Sequence, residues 1–195
     1  MEKIIYILVI LFLASCGGND WDSDSSLEPT KNFLEGRVLP KPLPKLQPKT
    51  KRQLLYDWSK SKVGQKETHG KNRSPFIDTL NRAAKVPLGS PYCGSFVGYG
   101  NMLFGFDYPK SFAWSPTWAD KSRMVEVADT MDVFTIYYPR MKRVGHTGYH
   151  ISTVGSQVHT REANTNDGLS REGDGIYDKR RKKATIYRFT RWDKN

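Results

Sequence analysis

The spacing of apolar residues changes midway along this 195-residue chain, and this change most restricts the folds it can adopt. In the first half, apolar side chains recur at the three- and four-residue spacing of amphipathic helices. From Asp132 onward, short segments rich in Val, Ile, Thr and Tyr are separated by turn residues, as β-strands are. We predict strands at residues 132–138, 146–154, 158–164 and 184–189. Helices followed by strands are typical of an α+β domain with an antiparallel sheet.

Three helices are predicted before the strands. The first carries Leu54, Leu55 and Trp58 on one face. The second begins at the Ser-Pro pair of residues 74–75, where Ser is a favoured N-cap and Pro a favoured first helical residue. A second Ser-Pro pair, at residues 90–91, predicts the start of the third helix.

The N-terminus is typical of an export signal. Lys3 precedes a short apolar run at residues 4–13, too short to span a membrane, which takes about 20 residues. The following Leu-Ala-Ser-Cys resembles a bacterial lipobox, which implies that residues 1–15 are a signal peptide and that Cys16 is lipidated. We therefore expect an exported, membrane-anchored lipoprotein of the cell envelope. A plain secretory signal and a buried hydrophobic helix are the alternatives.

Residues 16–48 are predicted to be a tether between this anchor and a folded domain at residues 49–195. The stretch 19–28 is acidic and Ser-rich, similar to the surface-export tag of some Gram-negative lipoproteins and equally typical of a solvated linker. It is followed by Pro residues alternating with Lys, a composition that favours extended polyproline II structure. Placement at the outer membrane or the cell surface stays open.

Composition excludes several classes of protein. A chain with one long apolar run is not a multi-span transporter, and nine Phe, ten Tyr and five Trp argue against complete disorder. Two cysteines are too few for a disulfide-stapled miniprotein. The net charge of +11 indicates an anionic polymer or surface as partner. Nucleic acid is not expected, because no recognition motif accompanies the basic runs of an exported chain.

Cys93 is the candidate nucleophile. At the start of the third helix, unpaired N–H groups and the positive end of the helix dipole favour its thiolate. Lipidation of Cys16 would leave Cys93 unpaired outside the cytoplasm, where idle thiols tend to be oxidised. Such a cysteine is either buried and inert or in use.

Two strands supply the candidate partners of the thiol. His146, flanked by glycines, could take the thiol proton and return it to a leaving amine. Alternation places His146 and His150 on one strand face, and places Glu162 and Asn164 together on a face of the next strand. A third polar group holds the imidazole in such sites. Each residue taken alone is equally compatible with a structural role.

The order Cys, His, Asn is that of papain-type enzymes, and the local motifs resemble one family closely. Pro-Tyr-Cys at residues 91–93, Gly-His-Thr-Gly at 145–148 and Glu-Ala-Asn at 162–164 are similar to the motifs of CHAP (cysteine, histidine-dependent amidohydrolase/peptidase) proteins. The resemblance extends from about residue 60 to the C-terminus. It implies a papain-like α+β fold, in which helices with the Cys at a helix start pack on an antiparallel sheet carrying His and Glu/Asn.

The resemblance also implies the chemistry. Cys93 would be the nucleophile, His146 the general base and acid, and Glu162 and Asn164 the residues that orient the imidazole, with the hydrogen-bonding one left open. Gly94 departs from the family, in which an alanine is common at this position. No cofactor or metal is expected.

The implied substrate is peptidoglycan, in which these enzymes cleave an amide bond. Two amide bonds stay open, that cut by an N-acetylmuramoyl-L-alanine amidase and that cut by a peptide endopeptidase. A non-catalytic, basic wall-binding lipoprotein is the alternative from another class. Oligomeric state has no signal in the sequence.

Overall fold

The computed structural model describes residues 47–68, 70–166 and 173–193. The predicted signal peptide, the lipidation site at Cys16 and nearly all of the tether at 16–48 lie outside these residues.

Three α-helices precede six β-strands in the described part of the chain, as the change in apolar spacing predicts. The helices are α1 (Lys51–Lys60), α2 (Pro75–Ala83) and α3 (Cys93–Leu103). The strands are β1 (Met124–Val125), β2 (Val133–Tyr138), β3 (Arg143–Val154), β4 (Gln157–Thr165), β5 (Gly175–Lys182) and β6 (Arg188–Thr190). They form one antiparallel sheet in the order β1-β6-β2-β3-β4-β5. The α+β class with an antiparallel sheet is confirmed.

The first two helices begin at side-chain caps. Thr50 and Gln53 form a reciprocal capping box at α1, with each side chain bonded to the backbone N–H of the other residue. Ser74 accepts from the N–H of Ile77 at 3.2 Å, and Pro75 is the first helical residue of α2. The predicted start of α2 at this Ser-Pro pair is confirmed.

The third helix begins later than its Ser-Pro pair predicts. Its first residue is Cys93, and its first intrahelical bond runs from the N–H of Phe96 to the carbonyl of Tyr92 at 2.9 Å. The Ser90 carbonyl accepts from the Asn81 amide at 3.0 Å. Among the described residues no side chain caps α3. Its first N–H groups are therefore free for other acceptors.

Hydrophobic residues pack on both faces of the sheet. On one face the helices meet the strands, where the ring of Phe96 stacks on Trp58 at 5.2 Å and meets the edge of Tyr149 at 5.9 Å. The Tyr149 hydroxyl donates to the carbonyl of Val97 at 2.8 Å, which fixes α3 against β3. The opposite face carries a smaller cluster: Phe134, Ile136, Val158 and Phe189.

The last part of the sheet differs from prediction. β5 is missing from the predicted strands because most of its residues are charged, yet its exposed and half-buried residues alternate as in a strand. The predicted strand at 184–189 is correct only at its last two residues, because Lys183–Thr185 form a 3₁₀ turn and β6 begins at Arg188. β3 also begins three residues earlier than predicted.

Each helix in the described ranges is too short or too polar to cross a bilayer.

Candidate active site

Cys93 lies at the first position of α3, buried with 4% of its surface exposed. Its sulfur is 3.3 Å from the hydroxyl oxygen of Ser115, the first residue of a 3₁₀ turn at Ser115–Trp118. The imidazole of His146 and the backbone of Gly94 also act on the thiol and favour its charged form. The nucleophile predicted from sequence therefore lies beside the histidine predicted as its base.

A glycine lets the segment that carries Ser115 approach the helix start. A Cβ atom at Gly94 would lie 2.5 Å from the carbonyl oxygen of Phe112 and 2.6 Å from that of Ala113. The departure from the alanine common in CHAP proteins thus has a local reason. Only glycine accepts these carbonyls so close to the first turn of α3.

His146 lies on β3, where it pairs with Ile136 of β2. Only 6% of its surface is exposed, and the ring of Phe134 lies 6.1 Å away. Its Nε2 is 2.9 Å from a carboxylate oxygen of Glu162 on β4. With one ring nitrogen on Glu162 and the thiol as its other partner, the imidazole is fixed between an acid and a nucleophile.

Glu162 is completely buried and accepts hydrogen bonds on both carboxylate oxygens. Thr160 donates to Oε1 at 2.5 Å, and the guanidinium of Arg181 on β5 donates to both oxygens, with Nε 2.8 Å from Oε1. Together with His146, these donors compensate the loss of water around the carboxylate. They also hold the carboxylate in the orientation in which one of its oxygens bonds to the imidazole of His146.

The pKa values of the triad follow from these contacts. Burial by itself favours a neutral thiol, yet the bonds from His146 and Ser115 lower the pKa of Cys93. Burial likewise opposes an imidazolium, but the bonds to Cys93 and Glu162 raise the pKa of His146 to about 9. Although burial opposes its ionisation too, Arg181 and His146 hold the pKa of Glu162 well below its usual range. The geometry favours a thiolate–imidazolium pair beside an ionised carboxylate.

Asn164 does not join this cluster. It occupies a bulge between Ala163 and Thr165 with a left-handed φ of 56°, a conformation that Asn tolerates. The bulge interrupts the alternation that would have put Glu162 and Asn164 on one face, so that expectation is corrected. The Oδ1 atom of Asn164 is buried without a hydrogen-bond partner among the described residues. Of the two candidates, Glu162 alone hydrogen-bonds to the imidazole.

His150 has its hydrogen-bond partners outside the cluster. His150 is buried beside Phe189 and bonds through its ring nitrogens to the Asp129 carbonyl and the Thr153 hydroxyl, each at 2.9 Å. Burial lowers its pKa, which suits a neutral structural residue. His69 lies outside the described residues. Within the described ranges, no three His, Cys, Asp or Glu side chains form a metal-type cluster.

Sequence reasoning missed two residues of the cluster, Ser115 and Arg181. Arg181 falls in the basic run 179–183, which is typical of a solvated face. Exposed and half-buried residues alternate along β5, and this pattern could have indicated that Arg181 is half-buried while its neighbours Arg180 and Lys182 are exposed. Ser115 is 22 residues from Cys93, and nothing in the sequence connects the two.

Comparisons with known proteins identify no family for this chain. No protein-family model and no curated protein matches it. Among solved structures, it is similar to a crystal structure from Staphylococcus aureus described as similar to a lipoprotein of the NLP/P60 family, at 14% identity and a TM-score of 0.44. The match covers 80% of this chain and 46% of the other, so the chain spans about half of that structure. A likeness of this extent does not assign a family.

Proposed function

We propose that this protein is a cysteine amidohydrolase or peptidase with a papain-like site that cleaves an amide bond in peptidoglycan. The observation that carries the proposal is a buried cluster in which Cys93, at a helix start, lies beside His146, whose ring is hydrogen-bonded to Glu162. A structural cysteine needs no imidazole partner, and a structural histidine needs no thiol. A thiol paired to an oriented imidazole is the arrangement that nucleophilic catalysis requires.

The mechanism follows from the protonation states. The Cys93 thiolate attacks the carbonyl carbon, and the negative charge on the carbonyl oxygen is met by N–H groups in the first turn of α3, with that of Cys93 as one donor. The His146 imidazolium protonates the leaving amine, which breaks the C–N bond and leaves a thioester. Water then attacks the thioester, with His146 taking its proton, and the acid product leaves as the thiol is restored.

Glu162 is proposed as the residue that orients His146. Its carboxylate oxygen lies 2.9 Å from the imidazole, while the Asn164 side chain has no contact with that ring. An ionised, buried carboxylate also stabilises the imidazolium more strongly than an amide would. Asn164 is left to shape the end of β4 through its bulge.

The substrate class rests on sequence. The three motifs of the CHAP resemblance point to peptidoglycan, and the net charge of +11 suits a polymer that bears carboxylates. Export and lipidation at Cys16 would place the domain where this polymer lies. Both the amidase and the endopeptidase remain within this proposal.

The proposal is tested by incubating the purified full-length chain with isolated cell walls beside its Cys93→Ala variant. Clearing of the walls by the unaltered chain and not by the variant is expected. Masses of the released fragments then distinguish the bonds, because an amidase frees lactyl ends on the glycan and an endopeptidase creates new amines within the peptide. Binding of both proteins to walls of several chemotypes with no cleavage would contradict the proposal and favour a wall-binding lipoprotein.

A further inference from the structure

Arg181 neutralises the buried carboxylate of the candidate site. Its guanidinium meets both oxygens of Glu162 in a two-point contact, the geometry in which arginine binds carboxylates best. The Arg181 side chain is about one quarter exposed, whereas the Glu162 side chain is fully buried. Within the described residues, Arg181 is the one guanidinium or ammonium group that contacts Glu162. Arg180 and Lys182, its neighbours on β5, are exposed.

The proton balance of the site depends on this guanidinium. With Arg181 and Glu162 both ionised, the site carries no net charge, whether the shared proton lies on the sulfur of Cys93 or on His146. Without the guanidinium, the same site would carry one net negative charge, and burial disfavours an uncompensated charge. It would then take up a further proton, and a neutral thiol would face the imidazolium.

We propose that Arg181 is a positioning residue whose two-point contact keeps Glu162 ionised and neutralised, and thereby keeps Cys93 a thiolate beside the His146 imidazolium at neutral pH. The inference rests on the proposed function for its consequence in catalysis. The protonation of the thiol itself is defined without any substrate. It is therefore open to measurement on the free protein.

The groups that act on this site come from α3, β2, β4 and the 3₁₀ turn at Ser115–Trp118. Tyr138 of β2 acts on the charge of Arg181. The hydroxyls of Ser115 and Thr160 contact the thiol and the carboxylate, and they do not ionise in the relevant range. The backbone of Gly94 also acts on the thiol, and it carries no titratable group.

The test is the pH dependence of Cys93 alkylation by iodoacetamide in the full-length chain. Labelling is read on the peptide that contains Cys93 by mass spectrometry, so that Cys16 does not contribute. For Arg181→Gln we expect the midpoint to rise by about one pH unit, which lowers the thiolate fraction about tenfold on the acidic side. Arg181→Lys keeps the positive charge but cannot make the two-point contact with the carboxylate. The pH midpoint of Cys93 alkylation should therefore rise by less in this variant. Arg180→Gln removes an exposed charge from the same strand and should leave the midpoint unchanged.

A wild-type midpoint in a folded Arg181→Gln protein would overturn the inference, as would an equal rise in the Arg180→Gln control. If Arg181→Gln does not fold, Arg181→Lys decides, because an unchanged midpoint there shows that the two-point contact is not needed. The outcome is separable from that of the proposed function. A chain whose labelling depends on Arg181 but which leaves all walls intact contradicts the function and supports the inference.

Discussion

The pKa values of Cys93 and His146 are displaced in opposite directions, and this sets the pH range in which the site is active. The thiolate forms above the lowered pKa of Cys93, and the imidazolium persists up to a pKa of about 9. Wall hydrolysis should therefore fall as the pH rises through about 9, where the acid that protonates the leaving amine is lost. Alkylation of Cys93 should not fall there, because the thiolate remains. A hydrolysis rate that still climbs well above pH 9 would contradict this assignment.

Ser115 is expected to stabilise the thiolate through its hydroxyl, 3.3 Å from the sulfur. Ser115→Ala removes this donor, and hydrogen bonds to charged groups contribute about 1.5–3 kcal/mol. The alkylation midpoint of Cys93 should rise by about one to two pH units. Ser156→Ala, in the exposed turn between β3 and β4, is the matched control and should change nothing. Equal profiles for the two variants would show that Ser115 does not donate to the thiolate.

At the residue scale, sequence predicted the members of the site that carry a motif and missed those that only contact it. Cys93, His146 and Glu162 belong to recognisable local motifs, and the structure brings them together. Asn164 has an equally good motif, but a bulge turns it out of register, and bulges leave little trace in a single sequence. Arg181 belongs to no motif, and the alternation along β5 could have shown that its side chain is half-buried but not that it contacts Glu162.

The contact between the start of α3 and the segment before the 3₁₀ turn depends on a missing side chain at Gly94. In Gly94→Ala the new Cβ meets two backbone carbonyls at 2.5 and 2.6 Å, so the segment carrying Ser115 must shift. Overpacking of this kind costs about 1–3 kcal/mol. We expect a lower unfolding temperature together with a raised alkylation midpoint of Cys93.

Gly155→Ala provides the comparison for that variant. Gly155 has a φ of 57° in an exposed turn, so an alanine there is strained but far from any close contact. It should lose about 1 kcal/mol of stability and leave the alkylation midpoint unchanged. If both variants change stability and neither changes the midpoint, the approach at Gly94 does not position Ser115.

At the scale of elements, the helices and strands that carry local sequence signals were predicted best. The Ser-Pro pair at 74–75 starts α2 with a side-chain cap from Ser74, whereas the pair at 90–91 gives no such cap and α3 begins only at Cys93. The longer strands rich in β-branched residues, β2, β3 and β4, were predicted, whereas β5 and the two-residue β1 were not. The charged residues of β5 are explained by its place at the edge of the sheet, where charges discourage pairing with another chain.

At the scale of the molecule, a buried carboxylate joins the first helix to the C-terminal segment. Asp132 accepts from Arg52 of α1 at 3.0 Å and from Arg191 after β6 at 2.8 Å. Each guanidinium also pairs with a more exposed carboxylate, Arg52 with Asp193 and Arg191 with Asp129, so each keeps one charge partner in Asp132→Asn. The loss of the buried charge should therefore lower the free energy of unfolding by about 1.5–2 kcal/mol in urea titrations.

The matched control for that prediction is Asp57→Asn. Asp57 pairs with Lys49 on the surface, where both side chains are about half exposed and such pairs contribute about 0–1 kcal/mol. Its effect on stability should therefore be small. Equal losses in the two variants would show that Asp132 does not connect the two ends of the domain.

The central claim is that Cys93 is an activated thiolate paired with His146, and the rate of its alkylation as a function of pH tests this most directly. The shape of the profile matters rather than the absolute rate, because Cys93 is only 4% exposed. We predict a midpoint well below the value of about 8.5 of an ordinary thiol, and a return toward that value in His146→Ala. A midpoint at or above the ordinary value in the unaltered chain, unchanged by His146→Ala, would contradict the account.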